Sequence, residues 1–201
     1  MKKVFSLLAL VAALTFAFNN ANAQESFGNA GLEFALPLGD WAEDSYGIGI
    51  GGSGGYEFGI SDNFAATANV GIIFFSVDDA VSDFIASTYM IPIQVGGRYY
   101  LDEQKSGLFL EGQVGVHMFA VSTEDIDLGP LGTVDGETTS ETYLSLAPSV
   151  GYFLNESISL SLRYQLVLQG DQDSVDPVTG AETTIDGENL GYLGLRAAFH
   201  F

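Results

Sequence analysis

The stretch Ile158–Leu168, ISLSLRYQLVL, decides the reading of this chain. Its even positions are Ile158, Leu160, Leu162, Tyr164, Leu166 and Leu168, and its odd ones are Ser159, Ser161, Arg163, Gln165 and Val167. Successive strand residues point to opposite faces, so this segment is a strand with one apolar and one mainly polar face.

The same period of two returns on either side of it. Ala30, Leu32, Phe34 and Leu36 alternate with Asn29, Gly31, Glu33 and Ala35, and Ile48, Ile50, Tyr56, Phe58 and Ile60 alternate with Gly47, Gly49, Ser53, Glu57 and Gly59. Phe64–Phe75 alternates less cleanly. Tyr89, Ile91, Ile93, Val95, Tyr99 and Leu101 stand against Gln94, Gly96, Arg98 and Tyr100, and Leu108, Leu110, Val114, Val116 and Met118 against Glu111, Gln113 and His117. Leu144, Leu146, Val150, Tyr152 and Leu154 follow, and Leu193, Leu195, Ala197, Phe199 and Phe201 alternate with Arg196 and His200. The pattern predicts eight strands. Pro92 and Pro148 fall inside them, where a missing N–H predicts bulges or local bends.

The connections alternate in length. Three are turns, at Ser61–Asn63, Asp102–Gly107 and Asn155–Ser157; four are long, at about Gly39–Ser45, Ser76–Ser87, Ser122–Glu141 and Gln169–Glu188. Short turns at one end and long loops at the other describe an all-β, eight-stranded antiparallel up-and-down transmembrane barrel with both termini on the periplasmic side. A soluble barrel would turn its apolar face inward. Its outer face would then carry only Glu33, Glu57, Arg98, Glu111, Arg163 and Arg196 among mostly Gly, Ser, Ala, Thr and Gln, far fewer charges than a solvated surface. The apolar face, with Tyr and Phe towards strand ends, suits hydrocarbon and aromatic girdles.

Composition agrees. The chain has 201 residues, 47% hydrophobic and only 16% charged, and a mean hydropathy of +0.23. Its formal charge of −20 excludes a general nucleic-acid binder, because phosphates would go unneutralised. Zero cysteine excludes disulfides, thiolate metal sites, a cysteine nucleophile and a lipidated cysteine anchor.

Lys2 and Lys3, the uncharged run Val4–Phe18 and the small-x-small pattern Ala21-Asn22-Ala23 make residues 1–23 a secretory signal peptide, cleaved before Gln24. The run is too short for a bilayer-spanning helix, which needs about 20 apolar residues. Residues 24–201 then form the barrel domain of an exported protein.

With this leader, these strands, the segment Ile91–Leu101 (IPIQVGGRYYL) and a last strand ending in Phe201, the chain resembles the small outer-membrane β-barrel proteins of the OmpA transmembrane-domain, OmpX and OmpW types over about Ser26–Phe201. The resemblance implies residence in the bacterial outer membrane, contact with its lipid, and a terminal-strand signal in Phe199 and Phe201 for the barrel-assembly machinery. Functions in this group run from structural support to adhesion to solute passage, so the fold does not choose among them.

Counted from the periplasmic strand ends, Glu33, Glu57, Arg98, Glu111, Arg163 and Arg196 share one layer of the lumen, with as many Arg as Glu. Arg98 and Glu111 lie on adjacent strands, and Arg196 meets Glu33 if the last strand closes on the first. The layer is read either as an ion-pair plug filling a narrow barrel or as the charge ring of a constricted pore.

Other signals carry less. Gly49–Gly54 matches G-x-G-x-x-G but lies inside a strand, without the following helix a dinucleotide needs. Asn155-Glu156-Ser157 is a sequon in a tight turn. His117 and His200 face inward on different strands and share no metal, and no Ser-His-Asp set is legible, so enzyme activity and a cofactor are not expected. The four long loops hold 18 of the 26 acidic residues and no Lys or Arg, as self-repelling solvated loops do. Asp171, Asp173 and Asp176 are weak candidates for divalent-cation binding, because they miss the EF-hand pattern. Asp176–Ile185 reads as a hairpin extending the last two strands, and Trp41 marks the bilayer rim or a contact surface. The leading expectation is a structural or surface-interaction barrel, with a narrow OmpW-like channel for small or apolar solutes and a loop-borne adhesin or receptor as alternatives. The extracellular partner is not legible.

Overall fold

The computed structural model describes residues 26–39, 46–77, 85–102, 107–123, 126–127, 133–134, 138–170, 172–175, 182–185 and 189–201. The strands are β1 (Phe27–Leu38), β2 (Tyr46–Gly59), β3 (Phe64–Val77), β4 (Ile85–Tyr100), β5 (Gly107–Thr123), β6 (Ile126–Asp127), β7 (Thr133–Val134), β8 (Thr138–Asn155), β9 (Ile158–Leu168), β10 (Gln172–Val175), β11 (Glu182–Ile185) and β12 (Leu190–His200). Eight of them close an antiparallel barrel in the order β1-β2-β3-β4-β5-β8-β9-β12, with β12 paired back onto β1. The short pairs β6–β7 and β10–β11 are separate two-stranded sheets in the loops.

Alternation sets the two faces as the sequence predicts. In β1, Leu32 is 61% exposed while its neighbour Glu33 is 3% exposed, and the same contrast repeats around the wall. Around the wall, large Leu, Ile, Val, Phe, Tyr and Met side chains are exposed, a surface that costs nothing in hydrocarbon and could not be left to water.

Interior space is tight because eight strands leave room only for side chains. A Cβ on inward Gly51 would lie 2.0 Å from the carbonyl oxygen of Ile72, and one on Gly96 would lie 2.2 Å from that of Gly112. Close backbone approach, not phosphate binding, therefore accounts for the glycine run of β2. The β8–β9 turn is closed by Asn155, whose Oδ1 accepts from the N–H of Ser157 and of Ile158, both at 2.9 Å.

Three expectations need correction. At Pro92 and Pro148, where bulges or local bends were expected, there is no bulge but a local break in the ladder: β3–β4 pairing skips from Val70↔Ile93 to Ile73↔Met90, and β8–β9 pairing from Leu146↔Leu166 to Ser149↔Arg163, in unchanged register. Tyr100 N–H donates to Asn63 O on the β3 side, so even residues of β4 face β3. The missing N–H of Pro92 thus removes ladder bonds to β3 only, and its pairing with His117 of β5 persists. The third long loop is also shorter than read, since β5 runs to Thr123 and β8 starts at Thr138. Finally, the hairpin after β9 pairs Gln172–Val175 with Glu182–Ile185 as its own sheet rather than prolonging β9 and β12. Trp41 lies outside the described residues.

Candidate functional site

The lumen is filled in three tiers. At the turn end, Ala65, Tyr100, Phe109 and Phe153 form a buried cluster whose rings stand 5.5–6.1 Å apart, centroid to centroid. At the loop end, Ala35, Ile73, Phe75, Met90 and Tyr192 form a second, with Tyr46, Phe119 and Leu190 against it. Between these apolar caps lies the charged layer, and all three of its arginines are buried.

The layer divides into two triads. Arg98 Nη1 donates to Glu57 Oε2 at 2.8 Å, and its Nη2 to Glu111 Oε2 at 2.9 Å. The same guanidinium lies 4.3 Å from the centroid of the Phe109 ring, a cation–π contact that ties the triad to the lower cap. The remaining oxygens of the carboxylates are also engaged: Glu57 Oε1 accepts from the Tyr100 hydroxyl, and Glu111 Oε1 from Gln113 Nε2 at 2.7 Å. This triad sums to one negative charge.

The second triad is its complement. Glu33 Oε2 accepts from Arg163 Nη2 at 2.7 Å, and Glu33 Oε1 pairs with Arg196 Nε at 3.0 Å. Ser53 Oγ donates to Glu33 Oε1 at 2.6 Å, Arg196 Nη2 donates to Asn29 Oδ1 at 2.6 Å, and Arg163 Nη1 donates to Gln94 Oε1 at 3.2 Å. This triad sums to one positive charge, so the layer is neutral as a whole. Between the triads, lined by Glu33, Ser53, Gln94, Glu111, Arg163 and Arg196 among others, is a cavity of about 20 Å³. That is room for one water molecule and not for a hydrated ion.

All six charged residues singled out in the sequence are brought together here. The Arg98–Glu111 and Glu33–Arg196 contacts are directly cross-strand, as the registers Arg98↔Glu111 and Glu33↔Arg196 require. Alternation could not show that Glu57 and Arg98 meet across β3, or that Arg163 of β9 reaches Glu33 of β1 past the whole of β12. Those contacts depend on barrel radius and side-chain length. Tyr100 and Phe109 were missed as members of the site for the same reason.

His117 Nε2 lies 3.2 Å from the Tyr192 hydroxyl under the upper cap, while His200 packs near Phe27 and Phe153 at the turn end. His200 Nε2 is 2.7 Å from Ser159 Oγ, a pairing not foreseen from sequence, but its Nδ1 has no hydrogen-bond partner and both residues are buried. A nucleophile–base pair without an orienting acid or an approach for substrate offers no catalytic geometry. Among the described residues no cluster of three His, Asp or Glu could hold a metal; Asp171 and Asp176 lie outside them, and Asp173 falls in β10. Phe199 and Phe201 project outward with stacked rings 6.3 Å apart, and the backbone of Phe201 exchanges two hydrogen bonds of 2.9 Å with Gly28. Lys105 lies outside the described residues.

A family profile described as outer membrane protein beta-barrel domain matches residues 6–193. Among solved structures, the attachment invasion locus protein Ail of Yersinia pestis, in complex with the heparin analogue sucrose octasulfate, superposes with a TM-score of 0.56 at 13% identity, covering 88% of this chain and 97% of that one. The N-terminal β-barrel domain of OprF from Pseudomonas aeruginosa gives 0.53 at 12% identity, covering 90% of this chain and 100% of that one. Neisserial surface protein A gives 0.51 at 14% identity, covering 90% and 99%. Such likenesses are likenesses of fold. No curated protein sequence matches the chain.

Proposed function

The chain belongs to the outer membrane protein beta-barrel domain family, and from that premise we propose that it is a plugged barrel with a structural or surface-interaction role, working through what it presents above the membrane. Residence in the outer membrane, with the apolar wall in contact with lipid, comes with the family. The plug is carried by one observation: two apolar caps enclose a neutral layer of two ion-paired triads, between which lies a cavity of about 20 Å³.

Single-channel recording of the refolded mature chain in a planar bilayer checks the plug. A sample shown to be folded by its heat-dependent gel mobility is expected to give no unitary steps. Reproducible steps would instead establish the narrow channel and make Arg98, Glu111 and Arg163 its selectivity residues.

The loops carry the interaction side of the reading. With 17 acidic residues between the barrel strands and no Lys or Arg, they repel polyanions, so the heparin analogue held by the Yersinia protein is not a ligand type that carries over.

Residues 1–23 act as a removable leader in this reading. The termini lie on the periplasmic side, which is supported by the turns at 61–63 and 155–157 and the paired Leu101 and Leu108 sharing the barrel end where Gly28 and Phe201 pair. Phe199 and Phe201 serve as the assembly signal. Protein recovered from outer membranes is expected to begin at Gln24 by intact mass, and Phe201→Ala to lower its yield several-fold. An unchanged yield would remove the signal role.

A further inference from the structure

The lipid-facing wall is not even. An open hollow of about 440 Å³ lies on its outer side where β9, β12 and β1 run together. Its floor is Ala30, Gly31, Ala197 and Ala198, and its rim is Leu32, Ile158 and Phe199. The cause is local sequence. Ala30 pairs with Phe199 and Leu32 with Ala197, so the two outward alanines are diagonal neighbours across the β1–β12 seam. Two methyl groups stand there amid a wall of exposed Leu, Ile, Tyr and Phe.

The hollow belongs to the leaflet at the turn end. Gly28 and Phe201 exchange backbone hydrogen bonds at the rim of the barrel, and Ala30 and Leu32 follow further in along β1. They lie about 7–14 Å along the strand from that rim, inside the first half of a hydrocarbon core ~30 Å thick. The wall is also thin here. A Cβ on Gly31 would lie 2.8 Å from Ala197 O and 3.0 Å from Arg196 Nε, so one layer of backbone separates the hollow from the buried Arg196–Glu33 pair.

Size and charge together name an occupant. The volume is room for about fifteen groups the size of a water or a methylene, and the lining side chains are all apolar. Among the described residues no Lys or Arg is exposed, since Arg98, Arg163 and Arg196 are buried. Lys105 falls between β4 and β5, strands across the barrel from β12. An anionic headgroup therefore finds no cation beside the hollow. Glu156, exposed in the turn just before Ile158, offers a carboxylate to an ammonium instead. A second copy of this chain is disfavoured, because neighbouring barrels bring loops with 17 acidic residues and no Lys or Arg side by side at one height. Hollow facing hollow about a twofold axis along the membrane normal would double the gap rather than fill it.

We propose that this hollow binds one acyl chain of a zwitterionic phospholipid in the turn-end leaflet, with the ammonium of its headgroup turned to Glu156. The chain lies across the seam that closes the barrel and keeps water from the thin wall in front of Arg196. Nothing in this depends on whether the lumen conducts.

Native mass spectrometry tests it, on the refolded mature chain released from nanodiscs with equal amounts of phosphatidylethanolamine and phosphatidylglycerol carrying the same acyl chains. The barrel is expected to retain one lipid, with phosphatidylethanolamine enriched about threefold. Ala30→Leu with Ala197→Leu fills the hollow with side chains the wall already carries, and is expected to cut retention at least about fivefold. Ala66→Leu, outward on β3, should leave it unchanged. Glu156→Gln should keep the lipid and abolish the preference. If the double variant lacks the heat-dependent gel mobility of a folded barrel, either single substitution carries the same expectation. Absence of retained lipid, or equal retention by the folded, filled barrel, overturns the site. Preference for phosphatidylglycerol, or one for phosphatidylethanolamine that survives Glu156→Gln, overturns the headgroup assignment. A barrel dimer that disappears on filling the hollow overturns the proposal in favour of a second copy.

Discussion

Arg98→Ala is expected to cost the refolded barrel about 3–5 kcal/mol of unfolding free energy, the cost of leaving buried charge without its partner. Arg98 is the single cation between Glu57 and Glu111, and both carboxylates lose it at once. Glu57 keeps the Tyr100 hydroxyl and Glu111 keeps Gln113 as neutral donors, which softens the loss without neutralising either charge. The Phe109 ring also loses the guanidinium above it. Arg98→Lys should recover only part of the stability, because one ammonium cannot present the two-pronged fork that reaches both partners. Urea unfolding of the two variants in vesicles checks this, and an Arg98→Ala barrel as stable as the parent would refute the triad as a stabilising unit.

Glu33→Gln is the mirror experiment and should cost about 3 kcal/mol, near the lower end of the same range. It strips the anion from two guanidiniums, Arg163 and Arg196, which stay buried on the same side of the lumen. They retain neutral acceptors in Gln94, Ser53 and Asn29, which is why the loss falls below that of Arg98. Arg196→Ala should cost less than either, since Glu33 then still holds Arg163. The ordering is the test: if Arg196→Ala proved as damaging as Glu33→Gln, the layer would not be organised around one central ion in each triad.

What could be read from sequence depended on whether the two faces of a strand differ. In β9, Arg163 and Gln165 alternate with Leu162, Tyr164 and Leu166, and the assignment was direct. In β3 it was blurred, because the buried Ile73 and Phe75 belong to the upper cap and adjoin the equally apolar, exposed Ile72 and Phe74. An apolar lumen next to lipid erases the period of two wherever a cap is built. The extra height of β5 and β8 was hidden for a related reason: Thr138–Thr142 rises into water on both faces, and its polar residues read as loop. The charged residues were found by their inward parity. Their partners across the lumen were not, because parity reports direction and says nothing of reach.

The seam between β1 and β12 differs from the other seven in that the two strands it joins lie at opposite ends of the chain. Every other pairing can form between consecutive barrel strands, while this one must wait until the whole wall is present. Closure is then a question of choosing a register. A slip by one residue is rejected by alternation, since it would turn Arg196 to lipid and Leu195 inward. A slip by two keeps every face correct, and hydrophobicity is blind to it. It would nonetheless break the present arrangement, in which Arg196 bridges Glu33 and Asn29 across the seam. Spanning this seam, the ion pair proofreads the error that the greasy wall cannot detect.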